Sequence, residues 1–467
     1  MERPQTGSVI DGFTLVERLA SGAMSTLWRT THPEHPGELV MKVPILDPGA
    51  DVSMIVGFET EVMIHKRLSG PHVPRFVAAG DLARVPYIAM GFVAGTSLAK
   101  TIIAQAPLPV AEVVRIGIAL AVALIDLHRQ KVVHLDLKPQ NVMMTPAGAV
   151  LIDFGLSRHA ELPDLLGEES SAPIGTAAYI APEQVLGERN DPASDIFALG
   201  CILYQMVTGE EPFGRPATLP GMKRRLYHAP SPPRSVRPDT PAWLEEIILR
   251  CLEVDRSRRY ADAAKVAFDL RHPDQVVVAR HRRSAAPPSL AHRLLTLFQK
   301  RDEAEILGPS ANRRRQAGPS IILAAVDLSG EHDRLAEAIL AETKRLLDAR
   351  EDSWLACLTV LRTEILRETR SVDEQGRSVY INRLVALKDW ARPLHLPEDR
   401  VSYHVIEAVS AADAILNYTE HNDIDHIVLG ARSSSAVRRH LGSISSKVVA
   451  EARCSVSVVR IKGSATT

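Results

Sequence analysis

The stretch that decides the fold is His134-Leu135-Asp136-Leu137-Lys138-Pro139-Gln140-Asn141, which is followed by Asp153-Phe154-Gly155. It places a carboxylate, a lysine and an amide in one short segment and adds a second carboxylate soon afterwards. Any one of these residues could be an ordinary surface group, but the whole string in this order and at this spacing is rarely met by chance. Carboxylate and amide oxygens are also the ligands that Mg²⁺ favours. The stretch therefore indicates a site for chemistry rather than a solvated loop.

These two segments resemble the catalytic loop and the metal loop of protein kinases. The resemblance implies that Asp136 accepts the proton of a substrate hydroxyl and orients it, and that Lys138 stabilises charge on the moving phosphoryl group. It also implies that Asn141 and Asp153 bind Mg²⁺. Phosphoryl transfer needs positioning and charge neutralisation more than covalent chemistry, which explains these residue types.

The residues on either side of the loop predict two lobes. Upstream, the runs FTLVERLA, STLWRTT, ELVMKV and PYIAMGFV are rich in β-branched and apolar residues, and residues 53–68 carry apolar residues at helical spacing. Downstream, residues 107–270 are mostly helical. A sheet-rich part followed by a helix-rich part predicts an α+β bilobal protein kinase fold, which we place at residues 12–272.

The resemblance also assigns the ATP-binding residues. Lys42 corresponds to the lysine that contacts the α- and β-phosphates, and its expected partner is Glu61 of the following helix, with Glu59 as the alternative. Residues two apart in a helix point to different faces, so only one of them can meet Lys42. Only one of the usual three glycines remains in the phosphate-covering loop, which should stiffen it and raise the KM for ATP. The other predicted ATP contacts are Leu19, Gly22, Ala23 and Leu27 in this loop and Met90, Phe92 and Val93 in the hinge that holds adenine.

Residues 175–183, with the sequence GTAAYIAPE, are similar to the segment on which protein substrates dock. The Gly-Thr pair together with Lys138 is the pattern of Ser/Thr kinases, and Glu183 is expected to pair with Arg259. One position departs from the family: Leu135 stands where many kinases carry an arginine that binds a phosphorylated activation loop. A phosphate on residues 156–175 is therefore not expected to activate the protein by that route. The candidate hydroxyls in that segment are Ser157, Ser170 and Ser171, and Thr176 follows it.

The composition changes after the helical lobe. Residues 273–319 are basic and rich in Ala, Pro and Ser, with a short apolar helix predicted at 290–298. This segment is interpreted as a solvated linker, with a membrane-surface helix as the alternative. From residue 320, strand-like runs alternate with helices near 331–349, 410–422 and 443–452. The alternation predicts an α/β doubly wound parallel-sheet domain over residues 320–462.

This second domain resembles the universal stress proteins, an α/β nucleotide-binding family. The resemblance rests on Val326-Asp327 at the end of the first strand and on residues 429–443, where Ser433 replaces a glycine of the family's loop and the loop is one residue short. It implies a second nucleotide site, with a phosphate at a helix N-terminus. The alternative is that the aspartate and the first glycine only serve their turns. The last strand commonly pairs across a two-fold axis in this family, so a homodimer is expected. The alternative is that the linker helix at 290–298 covers the edge of this strand. The predicted second-site residues are Asp327, Gly430, Gly442 and Ser443.

The bulk composition is that of a soluble, cytoplasmic protein of more than one domain. The chain has 467 residues and a formal net charge of −1, so nucleic acid is not an expected partner. Its four cysteines lie far apart, which argues against a disulfide framework or a zinc site and fits a reducing compartment. The most hydrophobic stretch, residues 113–127, contains two charges and is too short to span a bilayer, so membrane contact is not expected.

Two functions of different classes fit these observations. The first is an active Ser/Thr protein kinase that uses ATP and Mg²⁺ on protein substrates and carries a sensory or dimerising C-terminal domain. The second is a pseudokinase, a nucleotide-binding scaffold that signals by conformation, which the glycine-poor loop would suit. The complete set of phosphoryl-transfer residues favours the active kinase, because a scaffold has no need of all of them.

Overall fold

A computed structural model describes residues 4–22, 24–46, 52–82, 84–169, 173–278, 320–329, 333–350, 352–363, 373, 378–397, 400–422, 424–431 and 442–461. The linker helix predicted at 290–298 and the residues Ala23, Ser170, Ser171 and Ser433 lie outside the described residues. Within these ranges, no helix is long and apolar enough to cross a membrane.

The N-terminal lobe is a sheet of six antiparallel strands in the order β1-β2-β3-β4-β6-β5, with one helix. The helix ends at His65, three residues before the C-terminal end that was predicted from the sequence. Alternating strand residues such as Leu15, Leu39 and Met41 are fully buried, and they form the core of this lobe. The elements are β1 (Val9–Ile10), β2 (Phe13–Ser21), β3 (Ser25–His32), β4 (His35–Pro44), α1 (Val52–His65), β5 (Phe76–Ala79) and β6 (Ile88–Gly91).

The second lobe is mostly helical, as predicted, and its core surrounds two long helices, α3 and α6. The apolar stretch at 113–127 lies in α3, a core helix of this lobe. The strands are β7 (Thr96–Ser97), β8 (Val132–Val133), β9 (Val142–Thr145), β10 (Gly148–Leu151) and β11 (Arg158–His159). The helices are α2 (Leu98–Gln105), α3 (Val110–Arg129), α4 (Leu165–Glu169), α5 (Pro182–Val185), α6 (Ala193–Thr208), α7 (Leu219–Lys223), α8 (Pro233–Val236), α9 (Ala242–Cys251) and α10 (Ala263–Arg271).

The C-terminal domain is built on five parallel strands in the order β14-β13-β12-β15-β16. Successive residues of β12 point to opposite faces, so Leu323 joins one buried cluster and Ile322 the other. Helices cover both faces, which confirms the doubly wound α/β fold. The elements are β12 (Ile321–Ala325), α11 (Asp333–Asp348), β13 (Trp354–Arg362), α12 (Val379–Ala391), β14 (Val401–Ala408), α13 (Ala411–His421), β15 (His426–Gly430), α14 (Ser443–Glu451) and β16 (Ser455–Val459).

Helix α12 has no counterpart among the helices predicted from the sequence. Its Leu387 and Ala391 pack on the sheet of their own domain. Its Tyr380 and Leu384 belong instead to a cluster shared with α1 of the first lobe. The four buried residues are spaced by four, three and four positions and form one face of the helix, but Val379 and Val385 on its other faces hide that stripe in the sequence.

Candidate active site

The carboxylate of Asp136 is held by a set of hydrogen bonds at the edge of the helical lobe. Lys138 Nζ donates to Oδ2 at 2.6 Å, and Asn141 Nδ2 donates to the same oxygen at 3.2 Å. Thr176 donates to Oδ1 from its backbone nitrogen at 3.0 Å and from its hydroxyl at 2.6 Å. Lys138 also donates to the Thr176 hydroxyl at 2.9 Å. The side chain is only 6% exposed, so its direction is fixed before any substrate arrives.

Asp195 holds the backbone of the predicted catalytic loop through hydrogen bonds. Its carboxylate accepts from the backbone nitrogens of His134 and Leu135 at 2.8 and 2.9 Å, and it contacts the His128 ring at 2.8 Å. Burial alone would raise the pKa of this carboxyl, but these hydrogen bonds hold the pKa below its usual value. Leu135 adopts a left-handed φ of 61°, a conformation that costs a leucine about 1 kcal/mol or more. The two bonds to Asp195 offset that cost and turn Asp136 toward the cleft.

Lys42 lies between two carboxylates. Its Nζ is 2.6 Å from Glu61 Oε2 and 2.9 Å from Asp153 Oδ1, whereas Glu59 contacts Lys388 of the C-terminal domain. Burial opposes the charge on Lys42, but the two carboxylates raise the pKa of this lysine above its usual value. Burial likewise opposes the charge on Asp153, and Lys42 lowers the pKa of that carboxyl. Both groups are therefore ionised at neutral pH, and the ion pairs join α1 to the centre of the cleft.

Asn141 and Asp153 have the chemistry that Mg²⁺ requires. The hydrogen bonds of Asn141 to Asp136 both use Nδ2, which orients the amide and leaves Oδ1 as an oxygen ligand. Asp153 is ionised and its side chain is 44% exposed to the cleft. Oxygen donors of this kind suit a hard cation. Phe154, the residue after Asp153, is 1% exposed and packs near the rings of His65 and His134. This packing holds the Asp153 backbone in place.

The residues predicted to contact adenine and the phosphates lie in or next to strands β2, β3 and β6 of the N-terminal lobe. Gly22 donates to the Ser25 carbonyl at 2.9 Å, which closes the turn between β2 and β3. Leu27 is the register partner of Lys42, and Met90 pairs with Val40 one strand further on. Phe92 N donates to Glu38 O at 2.9 Å at the end of β6. The remaining predicted contacts in the described residues, Leu19 and Val93, lie in β2 and directly after β6.

Residues 175–183, the segment predicted to dock protein substrates, are tied to the helical lobe by the predicted ion pair. Arg259 donates to both oxygens of Glu183 at 2.7 and 2.8 Å, and both side chains are fully buried. Burial alone would raise the pKa of Glu183, but the Arg259 guanidinium holds it below its usual value. The predicted pair is therefore present. It fixes the end of the segment that also carries Thr176 to Asp136.

A further carboxylate, Asp164, was not singled out from the sequence. It lies in residues 156–175, the predicted activation segment, is 9% exposed, and accepts from Arg189 Nε at 2.9 and 3.2 Å. Arg158 lies 3.7 Å away. Two arginines thus meet a carboxylate of the segment itself. Nothing in the local sequence marks this residue, because its partners are brought to it by the fold.

The residues predicted for a second nucleotide site line one cleft of about 360 Å³ in the C-terminal domain, and Arg362 lies on the same wall. Asp327 accepts from the nitrogen and the hydroxyl of Ser329 at 3.0 and 2.6 Å, so it forms a local turn. A Cβ on Gly430 would lie 2.7 Å from Leu335 Cδ2, so a larger residue there would have to displace the Leu335 side chain. Gly442 and Ser443 begin α14 and complete the cleft.

Comparisons with known proteins identify two families in the chain. The family described as "Protein kinase domain" matches residues 13–270, and the universal stress protein family matches residues 320–460. A probable serine/threonine-protein kinase of Corynebacterium efficiens is 29% identical over 285 residues, which cover 59% of this chain and 43% of the relative. Serine/threonine-protein kinase PknB of Mycobacterium tuberculosis is 29% identical over 265 residues, covering 56% of this chain and 42% of the relative.

The solved structures include the PknI kinase domain of Mycobacterium tuberculosis, which is 26% identical with a TM-score of 0.46 and covers 58% of this chain and 100% of that one. The chain spans about two fifths of the length of the curated relatives it matches. The kinase match extends over more than half of the 467 residues. The chain therefore belongs to the protein kinase family, and it carries a universal stress protein domain after the kinase domain.

Proposed function

We propose that the protein transfers the γ-phosphoryl group of ATP to Ser and Thr hydroxyls of protein substrates. The observation that carries the proposal is the arrangement around Asp136, whose carboxylate is fixed by Lys138, Thr176 and Asn141. A carboxylate held in this way can orient a substrate hydroxyl and accept its proton. The hydroxyl of Thr176, 2.6 Å from Asp136 Oδ1, already makes the kind of contact that a substrate hydroxyl would need.

The other residues of the cleft have roles of charge and position. Lys42, held by Glu61 and Asp153, would bind the phosphates of ATP, and Lys138 would balance negative charge on the group in transfer. Mg²⁺ bound by Asn141 and Asp153 would neutralise phosphate charge. Adenine would bind at the hinge formed by Met90, Phe92 and Val93.

The alternative of a pseudokinase scaffold is supported only by the glycine-poor phosphate-covering loop. A scaffold has no need of a buried network around Asp136, whereas phosphoryl transfer depends on it. The curated relatives are named serine/threonine kinases, which supports the proposal for the kinase domain.

The test is incubation of the purified chain with γ-labelled ATP and Mg²⁺, with and without a generic protein substrate, followed by mass spectrometry of the modified sites. We expect phosphoserine or phosphothreonine on the protein or the substrate. The Asp136→Asn variant, prepared in the same way, should show none. Equal incorporation by both proteins would assign the activity to a contaminant and contradict the proposal.

We also propose that the cleft at Asp327 and Gly430 binds a nucleotide. The gathering of four predicted residues in one cleft supports this, together with Arg362 as a counter-charge for phosphate. Equilibrium binding of ATP should then show two sites per chain, one of which is lost in an Arg362→Ala variant that retains kinase activity. A stoichiometry of one ATP per chain would exclude the second site.

A homodimer through β16 forms a further part of the proposal. Among the strands that the structure describes, this one is the last of its sheet and pairs on one side only, with β15, and it contains no proline. Such an edge is a template for pairing with a second copy, which would bring two kinase domains together. Light scattering of the intact chain at micromolar concentration should give twice the monomer mass. A monomer mass would refute this contact.

The domain limits remain part of the same proposal: a kinase domain at 12–272, a linker at 273–319 and a stress-protein domain at 320–462. A cytoplasmic location is also proposed. It is supported by the four free cysteines, three of which are buried within the two domains.

A further inference from the structure

Helix α1 carries the partner of Lys42, yet its own sequence is poorly suited to a helix. Many of its residues are β-branched, and Gly57 lies in its middle. Both features lower helix propensity, glycine by about 1 kcal/mol relative to alanine. A helix of this composition depends on tertiary packing for its stability and for its position. The contacts on its two sides therefore decide where Glu61 lies.

One side of α1 faces the kinase cleft, and another packs against the C-terminal domain. Ile55 and Phe58, which are 1% and 5% exposed, lie in one apolar cluster with residues of α12 and β14. The members contributed by the C-terminal domain are all well buried. They are Tyr380 at 6%, Leu384 at 2% and Val405 at 1% exposure.

A polar contact accompanies this apolar cluster. Lys388 Nζ of α12 donates to both oxygens of Glu59, at 3.1 and 3.0 Å. The two side chains are 26% and 17% exposed, so the pair is only partly screened by solvent. Glu59 is two residues from Glu61, which faces Lys42 at 2.6 Å. The helix is thus held by ion pairs on two of its faces, one from each domain.

The activation segment takes part in the same contact. Its short helix α4 lies between α1 and β14, and Leu165 and Leu166 are buried in the shared cluster at 8% and 3% exposure. The backbone nitrogen of Asp164 donates to Asn422 Oδ1 at 3.1 Å. Asn422 Nδ2 donates in turn to the Tyr418 carbonyl at 2.9 Å, which orients the amide toward the kinase domain.

We propose that the stress-protein domain is an intramolecular docking partner that holds α1 and the activation segment in the arrangement used for catalysis. In this view Lys388 is a positioning residue, which acts on Lys42 through Glu59 and Glu61. The proposal rests on the proposed kinase activity. It follows from the coexistence, in one structure, of the docked C-terminal domain, the closed Lys42–Glu61 pair and the ordered network at Asp136.

The test uses charge reversal in the full-length chain. Lys388→Glu and Glu59→Lys each place like charges together, and the double variant restores an ion pair of opposite direction. The matched control is Lys447→Glu, which breaks the Lys447–Asp413 pair within the C-terminal domain. Two measurements are made on each protein: kcat and KM for ATP, and hydrogen exchange of the peptide that contains α1.

We expect each single variant to lower kcat about tenfold or more, equivalent to about 1.4 kcal/mol, and to increase exchange in α1. The double variant should recover most of the rate and of the protection, and Lys447→Glu should change neither. An unchanged or increased rate in Lys388→Glu would overturn the proposal, as would a double variant no better than the singles. If the wild-type chain shows no kinase activity, the proposed function fails, and the exchange data alone still decide whether Lys388 holds α1.

Discussion

Replacement of Asp136 by asparagine removes the negative charge at the centre of the site and keeps the shape of the side chain. Each carboxylate oxygen receives two donors, Lys138 and Asn141 on one side and both donors of Thr176 on the other. An asparagine has one acceptor oxygen, so its NH₂ group must face one of these pairs of donors. Loss of the group that accepts a proton typically lowers the rate about 10²–10⁴-fold, or about 3–5 kcal/mol in activation free energy. We expect a decrease in kcat of that size.

ATP binding should be little changed by the same substitution, because Lys42 pairs with Glu61 and Asp153 and not with Asp136. The assay is single-turnover phosphoryl transfer with ATP affinity measured separately by a fluorescent nucleotide. Asp239→Asn is a matched control, since its carboxylate is 70% exposed and pairs only with Arg237 among the described ion pairs. A transfer rate within about threefold of the wild type would refute the role of Asp136 as the group that orients the acceptor.

Three other substitutions test separate parts of the structure. Asp153→Asn removes an anionic ligand, so half-maximal activity should require more Mg²⁺, and an unchanged metal titration would contradict this role. Ser157 is 1% exposed and donates to the His134 carbonyl at 2.9 Å, so it is left unchanged and the need for a phosphate is tested by a double Ser→Ala variant at 170 and 171. We expect the basal kinase activity of this variant to persist, and a folded but inactive variant would disprove the claim. Burial lowers the pKa of His404 to about 3 from the usual 6.5, so below pH 6.5 the unfolded chain binds a proton at this residue that the folded chain does not. The stability of the folded chain, measured by thermal melting, should therefore fall as the pH drops from 6.5 toward 3, and it should fall less steeply in His404→Gln.

The bilobal fold could be predicted because a kinase places its chemistry in short, contiguous strings. The catalytic loop contributes Asp136, Lys138 and Asn141 from one segment, and the alternation of strands and helices after residue 320 is equally local. Such patterns can be recognised in the sequence without any knowledge of the tertiary contacts. The Glu183–Arg259 pair was accessible for the same reason, since both residues lie in recognisable segments although they are 76 residues apart.

Helix α12 and the anchor at Asp164 could not be predicted in this way. The buried residues of α12 form one stripe that contacts both its own sheet and the cluster around α1, but apolar residues such as Val379 and Val385 on its other faces hide that stripe in the sequence. Asp164 looks like an ordinary loop carboxylate until the fold brings Arg189 and Arg158 to it. The structural role of Asp164 depends on residues that are distant in the chain.

The residue types around Lys42 follow from the chemistry of phosphate binding, and the sequence alone is enough to place a lysine and two candidate glutamates there. Which glutamate faces the lysine is a matter of helix rotation, and that rotation depends on both sides of α1. In the folded chain Glu61 meets Lys42, and Glu59 is occupied by Lys388, which lies 329 residues away along the chain. No local pattern encodes a contact of that separation, because it arises only when two independently folded cores bury their apolar faces against the same helix.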